Sequence, residues 1–325
     1  MRMNIACATD DHYAPYCGIM LTSLFENHKR DSFAVFVLTR GLGEASTQKL
    51  QELASVYHQT ISFIIVDKDT FKDCPIRDYD HVSIETYFRI ILPQIIPADI
   101  HKILYLDVDL IVDGQIGELY QQDVNGIGLL ATPDLVIDEG IEERIGVHKG
   151  NYFNAGVLLI NLDFWRDNDI SKRCFEVIRK MADKLLFHDQ DTLNVVLQND
   201  KGWFDAKYNF NPLWLYKPIF QRFDPIVKQK VIDCANAPTI VHYADKAKPW
   251  QTPCSNPFSS YYFHYKRMSL WAKHPQQVKF TTMRQRMGWY RRVLAIRLGL
   301  MESWYATRPV KYRGTVKLYK TCDVF

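Results

Sequence analysis

Lys102-Ile103-Leu104-Tyr105-Leu106-Asp107-Val108-Asp109 sets an apolar run directly ahead of two aspartates. So short and apolar a run reads as a strand buried on both faces, and it delivers two carboxylates to its C-terminal edge. Upstream, Met3 to Thr9 forms a second such strand ending at Asp10-Asp11, followed by a helix over Tyr16 to Asn27. Phe33 to Thr39 and Ile61 to Val66 read as further strands around a helix from Glu44 to His58. This alternation predicts an α/β fold with a mixed, mainly parallel sheet flanked by helices. Ligands of such sheets sit beyond the carboxyl ends of the strands, where Asp10 and the aspartate pair fall. Downstream, the patterns predict a helix from Ser83 to Leu92 stopping at Pro93, and a strand from Tyr152 to Asn161. They also predict a helix over Thr192 to Leu197 with an aspartate at its N-cap, irregular chain over 203–235, and a last strand from Ile240 to Tyr243.

At 325 residues the chain fits one large or two ordinary domains, at roughly 150 residues per domain. With 47% hydrophobic residues it can bury an extensive core, which excludes a disordered chain, and a net charge of +3 does not announce a nucleic-acid binder. That average hides a division. Residues 266–325 hold 14 Lys and Arg against Glu302 and Asp323, a net +12, which leaves −9 on residues 1–265. Within the tail, Met287, Tyr290, Leu294, Leu298 and Met301 form an apolar stripe at about 100° per residue, with Ile296 and Leu300 opposite. Arginines surround the stripe, and Trp289 and Trp304 lie near its ends. A basic, aromatic helical extension of this kind suits an anionic membrane surface; the plainer alternative is a helix packed on the body. Seven scattered cysteines without CxxC spacing indicate a reducing compartment, and no run approaches the roughly 18 apolar residues needed to span a bilayer. Asp10-Asp11 comes too early for a signal peptide, so the expectation is a cytoplasmic protein, peripheral on the cytosolic face of the inner membrane.

Two aspartates at one strand terminus repel each other, and a divalent cation resolves that conflict. His242 follows Ile240-Val241 and precedes Lys248, and an imidazole ligand beside a cation describes a diphosphate site. Oxygen ligands plus one imidazole favour Mn²⁺, with Mg²⁺ as the alternative, and Lys248 then serves as a point charge on phosphate.

Ala8-Thr9-Asp10-Asp11, Tyr105-Leu106-Asp107-Val108-Asp109, Tyr152-Phe153-Asn154-Ala155-Gly156-Val157, Asp189-Gln190-Asp191, and His242-Tyr243 ahead of Lys248-Pro249-Trp250 occur in this order. Together they resemble the family 8 retaining glycosyltransferases, above all the bacterial enzymes that add galactose or glucose to lipopolysaccharide or lipooligosaccharide. The resemblance covers about residues 3–265 and implies a Rossmann-like GT-A catalytic domain over 1–265 that binds a UDP-hexose through Mn²⁺, with an oligosaccharide or lipid-linked saccharide as acceptor. It implies Asp107, Asp109 and His242 as metal ligands, and Ala8 and Asp10 as uridine contacts with His12 and Tyr13 close by. Val108 falls beside the donor between the two aspartates. Arg89 implies donor binding, Asn154, Ala155, Asp189 and Gln190 sugar contacts, and Lys248 the diphosphate grip. Asp245 stands where the family usually has glycine, which brings a like charge towards phosphate unless the side chain turns outward.

A carboxylate nucleophile is one route to retention. The family position on the sugar's β-face matches Gln190, whose amide is a poor nucleophile, so front-face attack through an oxocarbenium-like ion pair is expected. In it Gln190 stabilises the cation and Asp189 holds sugar hydroxyls as the catalytic pair, while Asp191 is structural. Trp203, Trp214 and Trp250 fit either sugar stacking or anchoring, and Tyr261, Tyr262 and Tyr265 either an acceptor or the seat of the tail. Two alternatives compete. A haloacid-dehalogenase-type phosphatase also uses an apolar strand and DxD, but it expects Thr or Val where Ile111 stands and a nucleophile nearer the domain start. A non-catalytic UDP-sugar-binding protein would have no need of the complete ligand set.

Overall fold

A computed structural model describes residues 1–72, 74–75, 83–307, 310 and 312. Its strands of three or more residues are β1 (Arg2–Ala8), β2 (Ser32–Thr39), β3 (Thr60–Ile65), β4 (Lys102–Leu106), β5 (Leu110–Val112), β6 (Leu129–Pro133), β7 (Phe153–Asn161), β8 (Lys201–Trp203) and β9 (Ile240–His242). Seven of them form one sheet in the order β3-β2-β1-β4-β7-β6-β8. β3, β2, β1 and β4 run parallel, β7 is antiparallel to β4 and β6, and β8 is parallel to β6. Alternate side chains feed two cores. Met3, Ile5, Leu104, Leu106, Val157 and Leu159 pack on one side, which includes the helix Ala14–Asn27. Ala6, Ile103, Tyr105, Leu158 and Ile160 pack on the other, against Tyr87, Phe88 and Trp165.

A second, two-stranded ladder matters most for the site. β5 pairs antiparallel with β9, setting Leu110 opposite His242, and Tyr243 N donates to Asp109 O at 2.9 Å. Asp107 N donates to Gly156 O at 2.8 Å, which ties the same strand end to β7. Residues far apart in sequence therefore meet where β4 leaves the sheet.

Several local expectations change. Ile84–Ile91 is a 3₁₀ helix that continues into a short α-helix, Leu92–Ile95, and does not stop at Pro93. Proline fits there because the first turn of a helix asks for no N–H. The helix carrying Asp189 begins at His188 with Phe187 at the N-cap, so no aspartate occupies the cap. Asp191 instead accepts from Phe187 N within the first turn, at 2.9 Å. The stretch 203–235 is not irregular throughout, since Pro225–Asn236 is an α-helix. Asp224 caps it through Ile226 N and Val227 N, with Pro225 at its start.

In the tail, Met283–Arg297 is a helix. Met287, Leu294 and Leu298 are more than half exposed, whereas Ile296 on the opposite side is buried. A cavity of about 590 Å³ separates this helix from the body, lined in part by Phe263, Trp289, Val293, Ile296 and Trp304. Tyr261, Tyr262 and Tyr265 are buried, and Tyr265 donates to Asp113 while its hydroxyl lies 3.1 Å from that of Tyr312. They seat the tail. Trp214 and Trp250 are likewise buried, Trp250 stacking on Tyr16 at 4.0 Å, and only Trp203 of the three tryptophans is exposed. Among the described residues six cysteines are free, and no helix is long and apolar enough to cross a membrane.

Candidate active site

Asp107 and Asp109 leave the end of β4 as half-buried side chains, and His242 reaches them from β9 with 2% exposure. His242 Nε2 lies 3.2 Å from Asp109 Oδ1 and 3.8 Å from Asp107 Oδ2. One ligand atom from each of the three falls within 4.8 Å of the others. Gly156 makes this approach feasible: a methyl group built there would lie 2.1 Å from His242 Cε1 and 2.8 Å from Asp107 Oδ2.

The outer oxygens of both carboxylates are already held. Arg89 Nη2 bonds Asp107 Oδ1 at 2.9 Å, and Lys248 Nζ bonds Asp109 Oδ2 at 2.6 Å and Tyr243 O at 2.7 Å. Burial pushes the Asp109 carboxyl up, but Lys248 and His242 outweigh it and hold the carboxyl far below the usual carboxylate range. The inner oxygens, Asp107 Oδ2 and Asp109 Oδ1, face the imidazole. Two inward carboxylate oxygens and one imidazole nitrogen fit a divalent cation.

Arg89 is buried and packs 4.4 Å over the Tyr105 ring. Besides Asp107, it donates to Ala155 O and Thr86 O. Its Nε is 2.8 Å from Asp189 Oδ2, a charge contact without an aligned hydrogen bond, because that N–H points at Thr86 O. Asp189 is only 2% exposed, and Thr86 donates to its other oxygen. Burial raises the Asp189 carboxyl despite Arg89. The carboxylate thus holds Arg89 in place in this structure.

Gln190 is fully oriented. Its Oε1 accepts from Ala155 N at 2.9 Å, while Nε2 donates to Asp134 Oδ2 and to Tyr152 OH, each at 3.2 Å. Asn154 donates to the same Asp134 oxygen at 3.1 Å. Tyr152 donates in turn to Asp191 Oδ1 at 2.6 Å, so the buried Asp191 stays within the scaffold. After β1, Asp10 Oδ1 accepts from Tyr13 N at 2.7 Å and shapes the turn that follows the buried Ala8. Burial, with Asp109 and Asp10 nearby, lifts the Tyr13 hydroxyl to about 12. His12 is exposed beside Tyr13, and Val108 is half-buried against the core. Asp245 accepts from Lys246 N at 2.6 Å, which turns its charge onto its own backbone.

Asp134 and Asn209 carry no motif of their own, and Asn209 lies in a stretch whose sequence reads as irregular; Tyr152 and Gly156 stand inside the Tyr152–Val157 motif, where nothing in the spacing singles them out.

A family model described as "Glycosyl transferase family 8" matches residues 4–254. The chain is 28% identical over 284 residues to a lipopolysaccharide 1,3-galactosyltransferase of Salmonella typhimurium, covering 83% of this chain and 80% of the relative. It is 25% identical over 278 residues to a lipopolysaccharide 1,2-glucosyltransferase of Escherichia coli, covering 84% and 80%. Among solved structures, the galactosyltransferase LgtC in complex with donor and acceptor sugar analogs aligns with a TM-score of 0.75 at 30% identity, covering 88% of this chain and 99% of that one. The DxD-type cluster therefore sits in a GT-A fold shared with LgtC, and the chain belongs to glycosyl transferase family 8.

Proposed function

We propose that this glycosyltransferase is a retaining hexosyltransferase that moves galactose or glucose from a UDP-sugar to a lipopolysaccharide or lipooligosaccharide core saccharide. The convergence of Asp107, Asp109 and His242 beside the Asp10–Tyr13 turn carries this reading. Galactose, glucose and the acceptor class come from the activities named for the relatives. Mn²⁺ fits the mixed carboxylate and imidazole donors better than Mg²⁺, which prefers an all-oxygen shell. When bound, such an ion neutralises the charge that grows on the departing diphosphate.

The chain's own groups do the rest. Ala8, Asp10, His12, Tyr13 and Val108 take the nucleoside, and Lys248 sets a point charge on a diphosphate oxygen. Arg89, held by Asp189, keeps Asp107 in place. Asn154, Ala155, Asp189 and Gln190 take the hexose. The Oε1 of Gln190 accepts one N–H and keeps a second lone pair to offer a cation developing at the anomeric carbon. An amide in that place favours front-face attack, in which the leaving UDP oxygen takes the acceptor's proton. A phosphatase reading falls with the family membership.

UDP release from UDP-galactose and UDP-glucose, assayed with Mn²⁺ and truncated lipopolysaccharide cores, tests the proposal. Asp109→Ala should lower it by at least about 10²-fold, the scale of a displaced catalytic centre. Tight UDP-sugar binding with no turnover on any core would instead make the protein a sensor.

The exposed stripe on Met283–Arg297, ringed by arginines, supports peripheral attachment to an anionic membrane. Removing the whole tail is a poor test, because Tyr305, Ala306 and Thr307 are buried in the body. Replacing Met287, Leu294 and Leu298 together by serine should release the protein from vesicles containing phosphatidylglycerol while leaving UDP-sugar hydrolysis intact. Unchanged sedimentation with vesicles would refute the attachment.

A further inference from the structure

Gly156 N donates to Asn154 Oδ1 at 3.0 Å. A backbone N–H can only donate, so it fixes which end of the Asn154 amide is oxygen. Asn209 approaches that same oxygen at 3.0 Å and must present Nδ2 to it. Its Oδ1 then faces His242 Nδ1 at 2.8 Å, and only a protonated Nδ1 satisfies that contact. The far ring nitrogen, Nε2, is the one turned towards Asp109 and Asp107. Asn209 is 1% exposed and His242 2%, so water does not compete for the bond between them, and Asn154 beside them is half-buried. The other end of Asn154 is tied to Asp134, which also accepts from Gln190.

We infer that Asn209 is a positioning residue for the metal centre: with Asn154 it relays the polarity of one backbone N–H to His242, keeping Nδ1 protonated and Nε2 free to ligate. The inference rests on the reading of Asp107, Asp109 and His242 as metal ligands and goes beyond it by assigning how the imidazole is prepared. Asparagine carries out this role because it accepts on one side and donates on the other. Leucine, of similar size, does neither. Aspartate keeps the acceptor for Nδ1–H but not the link to Asn154.

The test uses the full chain labelled with ¹⁵N-histidine, at a pH well above the ordinary imidazole range, metal-free and with Mg²⁺. With Mg²⁺ bound the expected spectrum has His242 protonated at Nδ1 and not at Nε2, and metal-free it keeps the Nδ1 proton whether or not Nε2 takes up a second one facing Asp109; loss of the Nδ1 proton in either state would overturn the inference. Mn²⁺ binding is then followed by electron paramagnetic resonance. Asn209→Leu should weaken it by about 10–100-fold, the effect typical of losing an outer-shell partner, and Asn209→Asp by less than about threefold. Equal affinities for Asn209→Leu and wild type would overturn the inference, as would equal losses in the two variants. Should Asn209→Leu not fold, the wild-type tautomer and the Asn209→Asp affinity still decide. Failure of wild type itself to bind Mn²⁺ would sink the metal reading and this inference with it, whereas binding by the wrong tautomer would sink the inference alone.

Discussion

Gly156→Ala should weaken Mn²⁺ binding by at least tenfold and lower turnover by about 10²-fold, while the protein stays folded. The added methyl group has nowhere to go, lying 2.1 Å from His242 Cε1 and 2.8 Å from Asp107 Oδ2. The imidazole and the carboxylate must move apart, and a displacement of that order ruins a three-ligand site. β7 itself tolerates alanine in its backbone conformation, so the sheet keeps its register and circular dichroism should match wild type. Affinity and turnover within twofold of wild type would show that the three side chains do not need to converge.

The second large effect is on stability. Arg89 is the cation shared by Asp107 and Asp189, and it is 4% exposed. Arg89→Met keeps much of the packing on Tyr105 but leaves Asp189 buried beside a second carboxylate. Breaking a buried ion pair by removing one partner costs about 3–5 kcal/mol. Urea unfolding should record a loss of that order, and a loss under about 1 kcal/mol would mean the carboxylates find other compensation. Arg89→Lys should not restore wild-type stability, because one ammonium cannot reach Asp107, Ala155 O and Thr86 O together.

The half of the sheet built from β1 to β4 is legible because β1, β2 and β4 are buried and read as continuous apolar runs, and the partly exposed edge strand β3 keeps a run of the same kind. Asp107, Asp109 and His242 are legible for a related reason: each closes such a run and stands out against it. What escaped reading depends on contacts between distant segments. Asp134 and Asn209 are ordinary polar residues until the fold sets them against Asn154 and His242, and no spacing announces that. The Asp224-Pro225 start of the helix Pro225–Asn236 is a local signal that the surrounding aromatics and asparagines obscured. Asp189 stands in a motif next to Gln190 that implies sugar contact, while its contacts to Arg89 and Thr86 come from segments about a hundred residues away and no spacing announces them.

The proposed function turns on one centre, where two strand-edge carboxylates and an imidazole brought in by β9 converge in a group that fits a divalent ion. Crystals grown with Mn²⁺ and UDP test it most directly, through anomalous scattering at the manganese edge. The account predicts a peak at about 2.0–2.3 Å from Asp107, Asp109 and His242 Nε2 together. A bound UDP with no anomalous peak among those three side chains would contradict it.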